Sequence, residues 1–192
     1  MDWLTPEKLW SREEVLEKPS PVPREGGVYA WFFRTTPPRV PTEDCHDVRG
    51  MKLLYVGISP KAPPSNGASP SKQTLRSRVS HHYRGNAEGS TLRLTLGCLL
   101  EEELGIQLRR VGSGKRMTFA GGEERLSAWL QENAFLTWLV HEEPSSLENQ
   151  LISELSLPLN LAGNQAHPFH SSLSGVRAEA KRRARELPIL EG

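Results

Sequence analysis

The chain has 192 residues, with 24 Lys and Arg against 23 Asp and Glu, 36% hydrophobic and 24% charged. That balance suits one globular domain, or two small ones, large enough to bury a core without staples. No apolar run approaches the roughly 18 residues needed to cross a bilayer, and Met1–Ser11, with Asp2 and Glu7, lacks the apolar region of a secretory signal, so a cytoplasmic protein with no membrane partner is expected. The two cysteines, Cys45 and Cys98, form no CxxC, which argues against a zinc ribbon. Cys45-His46 and His81-His82 fit no zinc-site spacing. A net charge of +1 says little about nucleic acid, but the charges are segregated. Lys72–Arg84 carries four cations and no acid. Arg177–Arg185 carries five cations and one acid, whereas Glu123–Glu154 carries seven acids and one cation. Such a chain can present a basic face despite a neutral sum.

In chain order, Trp3, Leu4, Leu9, Trp10 and Val15 suggest a short helix over about 6–17. Pro19, Pro21 and Pro23 then force an extended approach. Val28–Phe33, apolar on both faces, reads as a central strand opened by Gly26-Gly27. Residues 34–50 read as a loop insertion, Met51–Ile58 as a second strand, and Ser59–Ser71 as a loop rich in Pro, Ser and Gly. Leu75, Val79 and Tyr83 recur at i, i+4 and i+8 and give a helix over about 72–83. The spacing predicts a further helix over 92–104 and a hairpin within 106–119 around Gly112-Ser113-Gly114. It then gives a helix over 123–132, a strand over 134–140 and a helix to about Leu155. Leu157–Leu161 is expected to be extended, and a basic helix over 176–187 closes the chain.

Four local patterns bear on chemistry: Gly27-Val28-Tyr29, Tyr55-Val56-Gly57, Leu75-x-x-Arg78 with His82 four residues on, and Glu148 on a helix followed by Pro158-Leu159-Asn160. Each is weak alone. A buried strand tyrosine is usually core, a helix arginine is usually solvated, a lone histidine is more often a surface residue than a catalyst, and Ser145 with Glu148 would make a capping box. Taken in order, over about 26–160, they resemble the GIY-YIG nuclease superfamily, most closely its restriction-enzyme members. Arg78 and His82, at i and i+4, share one helix face. Three departures stand out: the long insertion between Tyr29 and Tyr55, the second insertion at 59–71, and Ile58 where many members have Lys. Lys61 is a candidate substitute for that lysine.

The resemblance implies an α/β (α+β) fold with a small, mainly antiparallel three-stranded sheet flanked by helices. An N-terminal arm (1–25) would precede a catalytic domain (26–165), with insertions near 34–50, 59–71 and 106–122, and a basic C-terminal extension (166–192) would follow. It implies endonucleolytic hydrolysis of DNA. Glu148 would hold one divalent cation, Mg²⁺ or Mn²⁺, and Arg78 would present a guanidinium fork to phosphate oxygens. Tyr29 would take the proton of the attacking water, its pKa lowered by nearby cations and the metal, while Tyr55 and His82 orient this network or shuttle the proton. Gly27 and Gly57 would let backbone approach the site, and Asn160 would fix the helix of Glu148 or a loop beside it. Arg76, Arg84, Arg93, Arg177, Lys181 and Arg182 are candidate phosphate contacts, which position a duplex without reading sequence. A palindrome-cutting enzyme would need a homodimer. The rival readings are a nucleic-acid-binding module that keeps the fold without turnover, and an interaction protein whose motifs are purely structural.

Overall fold

The apolar run Gly27–Phe33 forms β1, buried along its whole length, and the other elements assemble around it. The structure is a computed structural model that describes residues 2–61 and 71–191. A 3-10 turn at Asp2–Leu4 precedes α1 (Arg12–Leu16), β1, β2 (Asp47–Val48), β3 (Met51–Ser59), α2 (Leu75–Arg84), α3 (Thr91–Leu99) and α4 (Glu101–Leu104). Then come β4 (Arg109–Val111), β5 (Arg116–Thr118), α5 (Gly122–Asn133), β6 (Ala134–Val140), α6 (Pro144–Glu154) and α7 (His170–Glu186). The main sheet has the order β2-β3-β1-β6. Its pairs are antiparallel, and β4–β5 is a separate hairpin. This is the expected α/β architecture, with one addition. The three long strands are joined by the two-residue β2 inside the 34–50 insertion. Arg49 and Gly50, at φ 55° and 80°, make the tight turn from β2 to β3. Positive φ at both central residues matches the right-handed twist of a hairpin.

Register places the chemistry. Gly27 pairs with Ser59, Tyr29 with Gly57 and Trp31 with Tyr55, after which the register shifts between Trp31 and Phe32. Cross-strand partners share a face, so both motif tyrosines lie on one side of the sheet. That side packs on Leu75, Val79 and Tyr83 of α2 and on α3 and α5, in the larger core cluster. Val28, Ala30, Phe32, Val56 and Ile58 face the other side, with Leu151 of α6 and Leu157. Ile58, which stands where many family members have lysine, is therefore buried on the face opposite Tyr29. A lysine there would put its ammonium into an apolar layer.

Four expectations are corrected. The first helix begins at Arg12, because Ser11 and Glu14 close a capping box, and Trp10 instead pairs with Leu136 on the outer edge of β6. The 92–104 helix is two pieces, broken at Leu100 (φ −96°, ψ 10°), a residue wholly buried in the core. The last helix starts at His170, six residues earlier than expected. Leu157–Leu161, expected to be extended, is a turn-rich segment. The expected Ser59–Ser71 loop lies for the most part outside the described residues.

That turn-rich segment covers the part of β3 that β2 is too short to reach, where an open edge would leave backbone groups unpaired. Leu159 N–H donates to Leu54 O at 3.0 Å. The Asn160 amide imitates a neighbouring strand: Oδ1 accepts Val56 N–H at 2.9 Å and Nδ2 donates to Val56 O at 2.9 Å. Asn160→Ala is expected to cost about 2–3 kcal/mol in urea unfolding, since two buried backbone groups lose their partners. Asn160→Asp should not restore stability, because the carboxylate cannot donate. A loss below about 0.5 kcal/mol would show that the edge is satisfied otherwise.

Candidate active site

The site is built from the rim inward. On α6 the chain departs from the expected cap: the N-cap is Glu143, Pro144 is the first helical residue and no side-chain cap bond forms. Glu148 is thereby released from a capping box. Its carboxylate, half-buried, has no hydrogen bond or ion pair among the described residues. Burial alone pushes its pKa up to about 7. Glu148 opens into a cleft of about 630 Å³ shared with Tyr55, Asn160, Arg177 and Lys181.

Behind the rim, the sheet and α2 set a polar network in the interior. Tyr29 Oη lies 2.8 Å from His82 Nε2 and receives Arg78 Nε–H at 3.4 Å. Arg78 Nη1 is anchored on Gly89 O at 3.0 Å. His82 Nδ1 lies 2.7 Å from Ser90 Oγ. The His82 ring sits among Tyr29, Trp31 and Tyr55, with centroids 5.3, 5.8 and 6.4 Å away. The i, i+4 spacing thus aims Arg78 and His82 at the same tyrosine. Gly57 is required here: a Cβ would stand 2.6 Å from Tyr29 Oη, so the phenol lies across backbone that carries no side chain. At Gly27 a Cβ would meet Leu139 O at 2.1 Å, so this glycine allows β6 to close on β1.

The electrostatics tie the parts together. Burial raises the Tyr29 phenol to about 12, opposed by the Arg78 charge, while Glu148 adds to the rise. Tyr55 is raised further, by burial, by Tyr29 and by Glu148, against Arg78 and Arg177. Arg78 and Glu148 therefore act on both phenols in opposite senses. In the protein alone desolvation outweighs Arg78, and the phenol is neutral. His82 is held well below its usual pKa by burial and by the Arg78 charge, so it too is neutral. Lys61 is exposed, although its charge reaches His81 and His82.

The expected phosphate contacts divide. Arg177 and Lys181 line the cleft. Arg93 does not: its side chain is 0% exposed and ion-paired with Glu123 at 2.7 Å. Arg76 spends its guanidinium on Val22 O and Ser20 O at 2.6 and 3.1 Å, tying down the Pro-rich approach. Arg84 borders a separate hollow with Glu123 and Glu124. Arg182, exposed on α7, pairs with Glu179 at 2.7 Å and with Glu186. Ser90 is a site residue that the motif pattern does not mark. Its place before the apolar run of α3 flags it as an N-cap, but nothing in the sequence joins it to His82. Cys45 and His46 turn to Pro41 O and Leu4 O. Among the described residues, no group of three or more His, Cys, Asp or Glu could hold a metal, and no helix is long and apolar enough to cross a membrane.

Residues 27–179 match the family model of the GIY-YIG catalytic domain. No curated protein and no solved structure matches the chain. The matched span runs from the glycine that opens β1 into α7 and takes in Tyr29, Tyr55, Arg78, His82, Glu148 and Asn160. A match over most of the sequence, on a small antiparallel sheet flanked by helices, means that the chain belongs to the GIY-YIG family of nucleases.

Proposed function

We propose that the chain is a divalent-cation-dependent endonuclease that hydrolyses DNA phosphodiester bonds. One observation carries this reading: Glu148, a carboxylate with no hydrogen bond or ion pair among the described residues, shares a cleft with Tyr55, Arg177 and Lys181 and acts electrostatically on Tyr29 and Tyr55. A half-buried carboxylate lacking a counter-charge among the described residues fits a cation better than it fits a structural role. A single carboxylate, with phosphate and water completing the shell, is the donor set Mg²⁺ accepts, and Mn²⁺ takes the same oxygen ligands. When bound, such an ion polarises the phosphoryl group and stabilises the leaving oxygen.

The chain's own residues supply the rest. Arg78, fixed by Gly89 O, offers its remaining donors to non-bridging oxygens as negative charge grows on phosphorus. Tyr29 receives the proton of the attacking water. To do so it must enter the step as phenolate, against the burial that raises its pKa; Arg78 favours that form, and a cation held by Glu148 would add to its effect. His82 orients the network, and Tyr55 orients it or passes the proton onward. Arg177 and Lys181 on α7 hold a neighbouring phosphate, so residues 26–165 carry the chemistry and the basic extension adds grip.

The test is cleavage of plasmid and of single-stranded DNA in Mg²⁺, with EDTA as control. Tyr29→Phe keeps the ring and removes the proton acceptor. It is expected to slow cutting by about 10²–10³-fold while binding is retained. A wild-type chain that binds DNA but cuts neither substrate would support a binding module without turnover. One that neither binds nor cuts would leave the motifs structural.

A further inference from the structure

We propose that Ser90 is a positioning residue that fixes the tautomer of His82, so that His82 Nε2–H donates to Tyr29 Oη rather than accepting its proton. The functional consequence rests on the nuclease reading above, but the tautomer itself does not.

The argument is a count of hydrogens. Ser90 is wholly buried and caps α3. Its Oγ accepts Arg93 N–H at 3.1 Å and lies 2.7 Å from His82 Nδ1. A serine hydroxyl has one hydrogen and two lone pairs. Among the described residues, no other group hydrogen-bonds this oxygen. If Nδ1–H donated to it, both lone pairs would be filled by donors and the hydroxyl hydrogen would be buried without an acceptor, a costly arrangement. With Oγ–H donating to the Nδ1 lone pair, Ser90 and His82 are both satisfied, and Tyr29 O–H, which then cannot use Nε2, has Tyr55 as its hydrogen-bond partner. His82 is wholly enclosed by Tyr29, Trp31 and Tyr55 on the sheet side and by Ser90 on α3, with the Arg78 and Arg93 charges nearby. It is therefore neutral and carries its single hydrogen on Nε2.

Nε2 is 2.8 Å from Tyr29 Oη, and Arg78 Nε–H reaches the same oxygen at 3.4 Å. Two donors thus converge on one phenol oxygen, and both favour phenolate over phenol. The hydrogen of Tyr29 cannot point at His82. It is left to Tyr55, the other phenol hydrogen-bonded to Tyr29. The spacing that sustains this is held by Arg93, whose Nη1 binds His82 O and Tyr83 O at 3.2 and 3.3 Å and so joins the end of α2 to the start of α3.

Two substitutions separate this role from helix capping. Ser90→Thr keeps both the cap and the hydroxyl hydrogen. Ser90→Asp keeps the cap but can only accept, so it draws the hydrogen to Nδ1 and turns a lone pair toward Tyr29. The readout is side-chain ¹⁵N NMR of His82, assigned by comparison with His82→Asn, together with single-turnover cleavage. Wild type and Ser90→Thr are expected to show Nε2–H and cleavage within about threefold of each other. Ser90→Asp is expected to show Nδ1–H and cleavage slower by about 10- to 100-fold. Nδ1–H in the wild-type protein would overturn the assignment whether or not any variant folds. A switched tautomer in Ser90→Asp with cleavage unchanged would overturn the positioning role. The NMR signal needs no turnover, so a wild type that shows Nε2–H and cuts no DNA would sink the nuclease reading while upholding the tautomer.

Discussion

Glu148→Gln is expected to give a protein that is inactive and, above neutral pH, more stable than the wild type. The loss of cleavage follows from removing the one carboxylate that lines the cleft among the described residues. A contribution of several kcal/mol to the transition state amounts to about 10⁴-fold in rate. The gain in stability follows from linkage. In the folded chain burial raises Glu148 to about 7 from a usual 4.5, so the folded state binds its proton more tightly than the unfolded state does. A raised pKa contributes stability that is present below the unfolded value and lost as pH climbs through the folded one, here between about 4.5 and 7. At pH 8 the ionised carboxylate is a burden that glutamine does not carry. The difference between variant and wild type should therefore be small at pH 5 and grow to about 1–3 kcal/mol at pH 8. His82, whose pKa is lowered on folding, has the opposite pH dependence, but it is present in both proteins and cancels in the difference. Urea unfolding at the two pH values measures this. Mg²⁺ added at pH 8 should raise the midpoint of the wild type and leave that of the variant unmoved. Equal stability of the two proteins at pH 8 would mean that the carboxylate has a partner after all.

The second large effect is on folding. Arg93→Ala is expected to cost about 3–5 kcal/mol, because it removes one member of a buried ion pair and strands the other. The guanidinium donates to Glu123 Oε2 through Nε and Nη2 at 3.0 and 2.7 Å, to Glu123 O at 2.8 Å and to Ser127 Oγ at 3.1 Å. Its Nη1 serves His82 O and Tyr83 O. Glu123 Oε1 in turn accepts Ala87 N–H at 2.8 Å and Phe119 N–H at 3.1 Å. One residue therefore fastens α2, α3, α5 and the end of the β4–β5 hairpin together. Arg93→Lys should recover little, since an ammonium cannot reproduce the planar fork. Denaturant unfolding checks the size of the loss. A change below about 1 kcal/mol, accompanied by weaker DNA binding, would return Arg93 to the surface role that its charge alone suggests.

Much of the fold can be read from local pattern. Ala134–Val140 forms a strand with its expected bounds, and Tyr29 and Tyr55 fall on strands and Arg78 and His82 on a helix as the motifs imply. These features depend on periodicity over a few residues. The misreadings are non-local or competitive. Charge marks Arg93 as a cation but cannot show that Glu123, thirty residues on, takes it into the core. A serine and a glutamate three apart look like a cap at Ser145 and Glu148, yet Pro144 at the first helical position moves the helix start back to Glu143. The same signature at Ser11 and Glu14 does close a box. The two signatures are alike in spacing, and the proline beside Ser145 separates them. Ile58 looks like a missing catalytic lysine until strand alternation puts its side chain on the far face of the sheet.

The account depends on Glu148 and Tyr29 working on one phosphate. Single-turnover plasmid cleavage in Mg²⁺ by Tyr29→Phe, Glu148→Gln and the double variant tests this most directly, because groups that act as a unit are not additive when removed. The expected result is that the double variant cuts little more slowly than Glu148→Gln alone, and that all three still bind DNA. Glu148→Gln cutting within about tenfold of the wild type, or losses that multiply in the double variant, would contradict it.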